Sequence, residues 1–167
     1  MSYFKLGHKM KKRFIAILFI LLTNMSVAIF AQAEDIMAGD LMLHDLWMKA
    51  TIGNKPVTGG YLTIHNHGDF DDRLIGVEAA FAGKSEIHQM NMVNDVMQMR
   101  PLIDGLALPA GEHVMLEPGG YHLMFMQLKE PITAETSYSV TLIFDKAGRV
   151  PVTLLARDLK DAHSHSH

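Results

Sequence analysis

The 167-residue sequence contains no cysteine. Small domains of oxidising compartments often rest on disulfides, so this one must be held by its core. The same absence removes three site chemistries at once: a thiolate zinc site, a cysteine nucleophile and a blue-copper electron-transfer centre. Also missing are a Gly-x-Ser-x-Gly elbow, a His-Glu-x-x-His helix and a phosphate-binding glycine loop. The acidic pair Asp71-Asp72 beside Arg73 reads as a solvated turn. The expectation is a binding protein or carrier and not an enzyme.

Apolar runs long enough to span a bilayer are lacking too. Ile15 to Leu22 is unbroken but stops at Thr23-Asn24, short of the roughly 18 residues a spanning helix wants. With Lys5, Lys9, Lys11, Lys12 and Arg13 before it and Ala31-Gln32-Ala33 after it, the run has the pattern of a signal peptide cleaved near Ala33. The expected organisation is a signal peptide over residues 1–33, one binding domain over 34–157 and a His-rich flexible tail over 158–167. Such a chain is exported to the periplasm, with no stable membrane insertion after cleavage. The mature part has ten basic residues against eighteen acidic ones, a formal charge of −8. Nucleic acid and anionic lipid are therefore poor partners.

What is present is a succession of short apolar and β-branched runs broken by turn residues about every ten positions, the signature of an all-β sandwich or barrel. The spacing predicts strands over Leu41–Thr51, Gly60–Asn66, Arg73–Ala79, Ser85–Met92, Val96–Arg100, His113–Leu116, Tyr121–Met126, Tyr138–Phe144 and Val150–Ala156. Turn chemistry separates them, as in Gly53-Asn54-Lys55-Pro56 and Pro118-Gly119-Gly120. No run has the length or period of a helix, and there is no repeat or linker, so a single domain is expected.

Methionine is concentrated in the middle third. Met90, Met92, Met97, Met99, Met115, Met124 and Met126 fall among His88, His113 and His122. Any one methionine is most simply a flexible core filler, but the set calls for another explanation. Residues two apart on a strand share a face, so His122 and Met124 can reach one ion while Leu123 and Phe125 point the other way. His88 with Met90, and Met97 with Met99, have the same relation. Neutral imidazole and thioether form a soft donor set that suits copper(I) and not calcium or magnesium. Thioether also needs no deprotonation and cannot be lost to a disulfide. Glu86 and Asp95 are candidates to orient a ligand imidazole. Met92, Met97, Met115 and Met126 read as core or rim, His113 as a surface strand residue, and His44, His65 and His67 as strand-end or turn histidines.

These residues carry a resemblance to the periplasmic copper chaperones of the PCu(A)C family. That family's signature runs His, ten residues, Met, about twenty-one residues, then His-x-Met. Here Glu86-Ile87-His88 is followed by ten residues to Met99 in Val96-Met97-Gln98-Met99-Arg100-Pro101, and then by Pro118-Gly119-Gly120-Tyr121-His122-Leu123-Met124. The second spacer is twenty-two residues and crosses a loop-rich stretch, where one extra residue moves strand ends little. The resemblance spans about Trp47 to Thr153. It implies a cupredoxin-like β-sandwich and a copper(I) ion held by His88, Met99, His122 and Met124; Met90, which shares a strand face with His88, is by that geometry an additional or replacement ligand. It further implies delivery to the CuA centre of cytochrome c oxidase subunit II, directly or with a Sco-type thiol protein. A copper buffer or resistance protein without a dedicated recipient is the alternative.

The chain ends in Asp161-Ala162-His163-Ser164-His165-Ser166-His167. His163, His165 and His167 offer imidazoles without thioethers, a set that suits copper(II) better than copper(I). They are expected either to capture the oxidised ion, or to be a purification remnant or an ordinary solvated end.

Overall fold

The structure, a computed structural model, describes residues 35–93 and 96–158. The expected leader, Asp95 and the tail histidines His163, His165 and His167 lie outside the described residues. Among those described there are eleven strands and no helix: β1 (Ile36–Ala38), β2 (Leu41–Lys49), β3 (Val57–Asn66), β4 (Asp72–Glu78), β5 (Ala82–Val93), β6 (Val96–Pro101), β7 (Leu106–Leu108), β8 (His113–Leu116), β9 (Tyr121–Leu128), β10 (Ser137–Phe144) and β11 (Arg149–Arg157). All nine expected strands are present. The two additional ones, β1 and β7, are three residues each, too short for a period of two to show.

The strands pair in the order β6-β5-β9-β8-β3-β2-β11-β10-β4-β7, with β1 added beside β2 and a further pairing of β9 with β3. This sheet folds over one apolar core that draws Leu43 and Met48 from β2, Ile64 from β3, Leu74 from β4, Leu123 and Phe125 from β9, Leu142 from β10 and Leu154 from β11. Phe81 ties the layers together, stacking at 5.1 Å on Phe125 and edge-on at 5.3 Å on Tyr138. Strands such as β7 and β11 alternate core and surface residues, as the pleat requires.

One irregularity matters for the site. In β2 the buried positions are Leu41 and Leu43, then Leu46 and Met48, so the inward parity switches between them. The switch is a β-bulge: His44 pairs with Thr63 and Trp47 with Tyr61, leaving two residues of β2 against one of β3. Asp45 takes up the turn at φ 52°. As a result Trp47 and Lys49 point outward beside Tyr61.

The acidic turn differs from expectation. Asp72 is buried, not solvated. Its carboxylate accepts the backbone N–H groups of Arg73, Lys146 and Ala147 at 2.7, 2.9 and 3.1 Å, fastening the β10–β11 turn to β4. Spacing did not reveal this, because two of the three donors lie more than seventy residues away.

Candidate metal centre

Strand register assembles the candidate ligands. On β9 and β5 His122 lies directly opposite His88, and Met124 opposite Glu86. On β5 and β6 Met90 lies opposite Met99. On β9 and β3 Met124 lies opposite Gly59. Directly opposed residues share a face, so His88, Met90, Met99, His122 and Met124 all project to one side of the sheet. Leu123 and Phe125, between and beyond His122 and Met124, enter the core from the other side and are fully buried.

Both imidazoles are sunk in the surface, His88 at 8% and His122 at 4% exposure, with ring centroids 5.8 Å apart. A buried imidazole normally satisfies both nitrogens; here each satisfies one. His122 Nδ1 donates to the Gly120 carbonyl at 3.1 Å, which leaves the Nε2 lone pair free. His88 Nε2 donates to a Glu86 carboxylate oxygen at 2.9 Å. Its Nδ1 is buried without any hydrogen-bond partner. Hydrogen-bonding the remote nitrogen to carboxylate or carbonyl fixes tautomer and ring orientation in metal-ligating histidines. The two residues present opposite ring nitrogens for that role, Nδ1 of His88 and Nε2 of His122.

Electrostatics favour a neutral ring at His122. Burial pushes the His122 pKa below its ordinary value, and the positive charges of His88 and Lys49 act the same way against the opposing hydrogen bond to Gly120. Hydrogen bonds from Lys84 and His88 hold the Glu86 carboxyl below the usual range, so it stays an acceptor. Lys84 Nζ lies 2.7 Å from one Glu86 oxygen and His88 Nε2 2.9 Å from the other.

Beside His122 is an open pocket of about 210 Å³ lined by Met90, Met99 and Met124 together with Gly59, Tyr61 and Lys49, among others. No lining residue is a carboxylate, so a hard cation finds no suitable donors there. Tyr61 packs on Trp47 with centroids 4.3 Å apart, and the Lys49 ammonium lies 5.4 Å from the Tyr61 ring centre. Gly59, Tyr61 and Lys49 were not among the candidates read from sequence. Val57-x-Gly59-x-Tyr61 does have the period of two, but the pairing of β3 with β9 that brings it to the site spans more than sixty residues.

The structure sorts the remaining candidates as follows. Met90 and Met99 both line the pocket, so the geometry gives neither precedence. Met92, Met97 and Met115 are exposed and belong to the rim, not the core. Glu86 contacts His88, as expected of an orienting residue. His65, His67 and His113 gather on the surface, with ring centroids of 3.9 Å for His65 and His67 and 6.1 Å for His65 and His113. Among the described residues, however, no three His, Cys, Asp or Glu side chains are placed to hold a metal ion.

A small all-β domain with two half-satisfied buried histidines beside exposed thioethers belongs to a known architecture, the cupredoxin-like fold of the PCuAC domains. The copper-bound PCuAC domain from PmoF2 aligns at TM-score 0.64 and 23% identity, covering 75% of this chain and 98% of that one. Apo-DR1885 from Deinococcus radiodurans aligns at 0.57 and 21% identity over 77% of this chain and 85% of its own. Its CuI form aligns at 0.55 and 23% identity, over 76% and 81%. By sequence, residues 41–155 match the family described as putative lipoprotein LpqE-like, and the chain belongs to that family. A relative, the putative lipoprotein Lxx21020 of Leifsonia xyli subsp. xyli (strain CTCB07), is 28% identical over 135 residues, covering 81% of this chain and 80% of its own.

Proposed function

We propose that this protein is a copper(I) carrier of the bacterial cell envelope that binds the ion through His88 Nδ1, His122 Nε2, Met99 and Met124 and passes it to a recipient protein. The observation that carries the proposal is the buried, partnerless Nδ1 of His88 directly across the sheet from His122. Leaving a buried polar nitrogen unpaired costs about 1–3 kcal/mol, a cost that an ion removes. The neighbouring thioethers and the absence of a lining carboxylate select a soft monovalent ion over a hard divalent one. Two similar structures, a copper-bound PCuAC domain and CuI-DR1885, support the same choice.

Transfer, as opposed to storage, is favoured by access. Met99 is 41% exposed and β6 is an edge strand, so an incoming ligand can displace this thioether while the two imidazoles keep hold. The recipient we propose is the CuA domain of cytochrome c oxidase subunit II, with a Sco-type thiol protein as helper, and the compartment is the periplasm. Export is supported by the lipoprotein description of the family and relative. None of the 167 residues is a cysteine, so none of them can carry a thioether-linked lipid. Mixing copper(I)-loaded full chain with an apo CuA domain, with and without the Sco-type protein, should move copper to the recipient. Copper that stays put under each condition favours the buffer function.

A further inference from the structure

The β5–β6 hairpin has two faces, and neither is a core face. Met90 lies opposite Met99 and Met92 opposite Met97; in the alternating positions Gln89 lies opposite Arg100 and Asn91 opposite Gln98. One face therefore carries four thioethers and the other polar groups followed by the Val93–Val96 pair at the turn; two of the polar groups, Arg100 and Gln98, hydrogen-bond to each other at 2.6 Å. The alternation is that of a half-buried hairpin, yet its apolar side is open to solvent. Met92 is 63% exposed and Met97 49%. Packing does not account for them, and strand propensity favours β-branched and aromatic residues at such positions, not methionine. What the four residues share is the thioether.

We propose that this face is a second soft-metal site, with Met92 and Met97 as its outer ligands and Met90 and Met99 shared with the centre beside His122, through which copper(I) reaches and leaves that centre. The inference rests on the copper(I) reading above. Directly opposed side chains have Cβ atoms about 4.5–5.5 Å apart, and successive pairs on one face are separated by about 6.6–6.8 Å along the strand. Methionine, with three rotatable bonds and a polarizable sulfur, can close on an ion from either pair and bridge the step between them. The transfer is a ligand exchange: a bond from copper to the sulfur of Met92 or Met97 breaks as one to Met90 or Met99 forms. Copper stays monovalent throughout, and no proton moves, because thioether carries none at any accessible pH. An ion handed on in this way is never released, and the second step is intramolecular, with the advantage in effective concentration that this brings.

The test uses the full chain with methionine methyl groups labelled with carbon-13 and silver(I), a monovalent soft ion that does not change oxidation state under these conditions. The first equivalent should shift the methyl signals of Met99 and Met124, and the second those of Met92 and Met97. The double variant M92L/M97L keeps volume and apolar surface. It should lose the second equivalent, hold the first with unchanged affinity, and release copper(I) to a competing chelator more slowly by about an order of magnitude. Unmoved Met92 and Met97 signals at two equivalents would overturn the proposal. So would a double variant that keeps both stoichiometry and release rate, which is the result expected of a purely apolar docking face. Shifts at Met92, Met97 and Met99 without any at Met124 would uphold the hairpin site while removing the centre proposed beside His122. Silence at every methionine would refute both.

Discussion

Gly59 and Gly60 are neighbours on β3 that face opposite ways, and replacing each with alanine should separate the site from the core. A Cβ at Gly59 would lie 2.6 Å from Tyr61 Oη and 3.1 Å from Tyr61 Cζ, whereas one at Gly60 would lie 2.8 Å from Phe125 Cε2 and 3.1 Å from Leu154 Cδ1. In neither case can the neighbour swing clear. Tyr61 is buried and stacked on Trp47, and Phe125 and Leu154 are fully buried. Overpacking of this kind costs about 1–3 kcal/mol, and the stiffer unfolded chain of an alanine variant returns about 0.4–1 kcal/mol. A net loss of about 1–2 kcal/mol corresponds to a Tm lower by roughly 4–8 °C for a domain of this size. The two variants should lose comparable stability, but only Gly59→Ala should weaken copper(I) binding, since Gly59 is the residue opposite Met124. Adding Tyr61→Phe removes the atom in closest conflict at position 59 and should recover at least half the loss there. At position 60 it should recover none. Thermal melts of the six proteins, with copper(I) competition titrations, measure these couplings. Equal rescue at both positions, or unchanged copper affinity in Gly59→Ala, would refute the assignment of faces.

Met99→Leu and Met124→Leu keep side-chain volume, so each should cost less than about 1.5 kcal/mol in stability while sharply weakening copper(I) binding in competition with a chelator. Glu86→Gln replaces the acceptor that holds His88 Nε2 at 2.9 Å; copper(I) affinity should fall by about 10–100-fold, and an unchanged dissociation constant would remove Glu86 from the site. Burial lowers the His122 pKa, so proton competition for copper should set in only below about pH 6.5, the ordinary histidine value; a loss of affinity beginning above neutrality would contradict that environment. Burial raises Tyr61 to about 12 from 10.0. The unfolded chain then loses its phenolic proton first, so stability is intact below pH 10 and declines as pH rises from 10 towards 12, by about 2–3 kcal/mol in all. Urea titrations across that range should show the decline in the parent and its absence in Tyr61→Phe.

Most of the strands were legible because one side of the domain is core and the other solvent, which writes a period of two into segments such as Val150–Ala156 and Tyr121–Met126. The same period placed His122 and Met124 together and set Leu123 and Phe125 apart from them. Four features were hidden. Strands β1 and β7 are too short to carry a period. The bulge at Asp45 reverses the parity of β2 within an apolar run, so nothing in Leu41–Lys49 alone says that Trp47 and Lys49 turn outward. Asp72 looks like any solvated acid until the fold brings the N–H groups of Lys146 and Ala147 to it. The pocket wall formed by Gly59 and Tyr61 belongs with these, since it exists only through the register of β3 on β9. A choice between Met90 and Met99 is no clearer in the fold than in the spacing, because the two residues are paired directly across the hairpin.

The central claim is that copper(I) is taken up by opposite ring nitrogens of two facing histidines. Long-range proton–nitrogen NMR of the imidazoles, recorded on the full chain before and after one equivalent of copper(I), reads this directly. The account predicts that His88 responds at Nδ1, the atom now buried without a partner, and His122 at Nε2, while the nitrogens bonded to Glu86 and Gly120 keep their protons. A response at His88 Nε2, or silence at either histidine with copper bound, would contradict it.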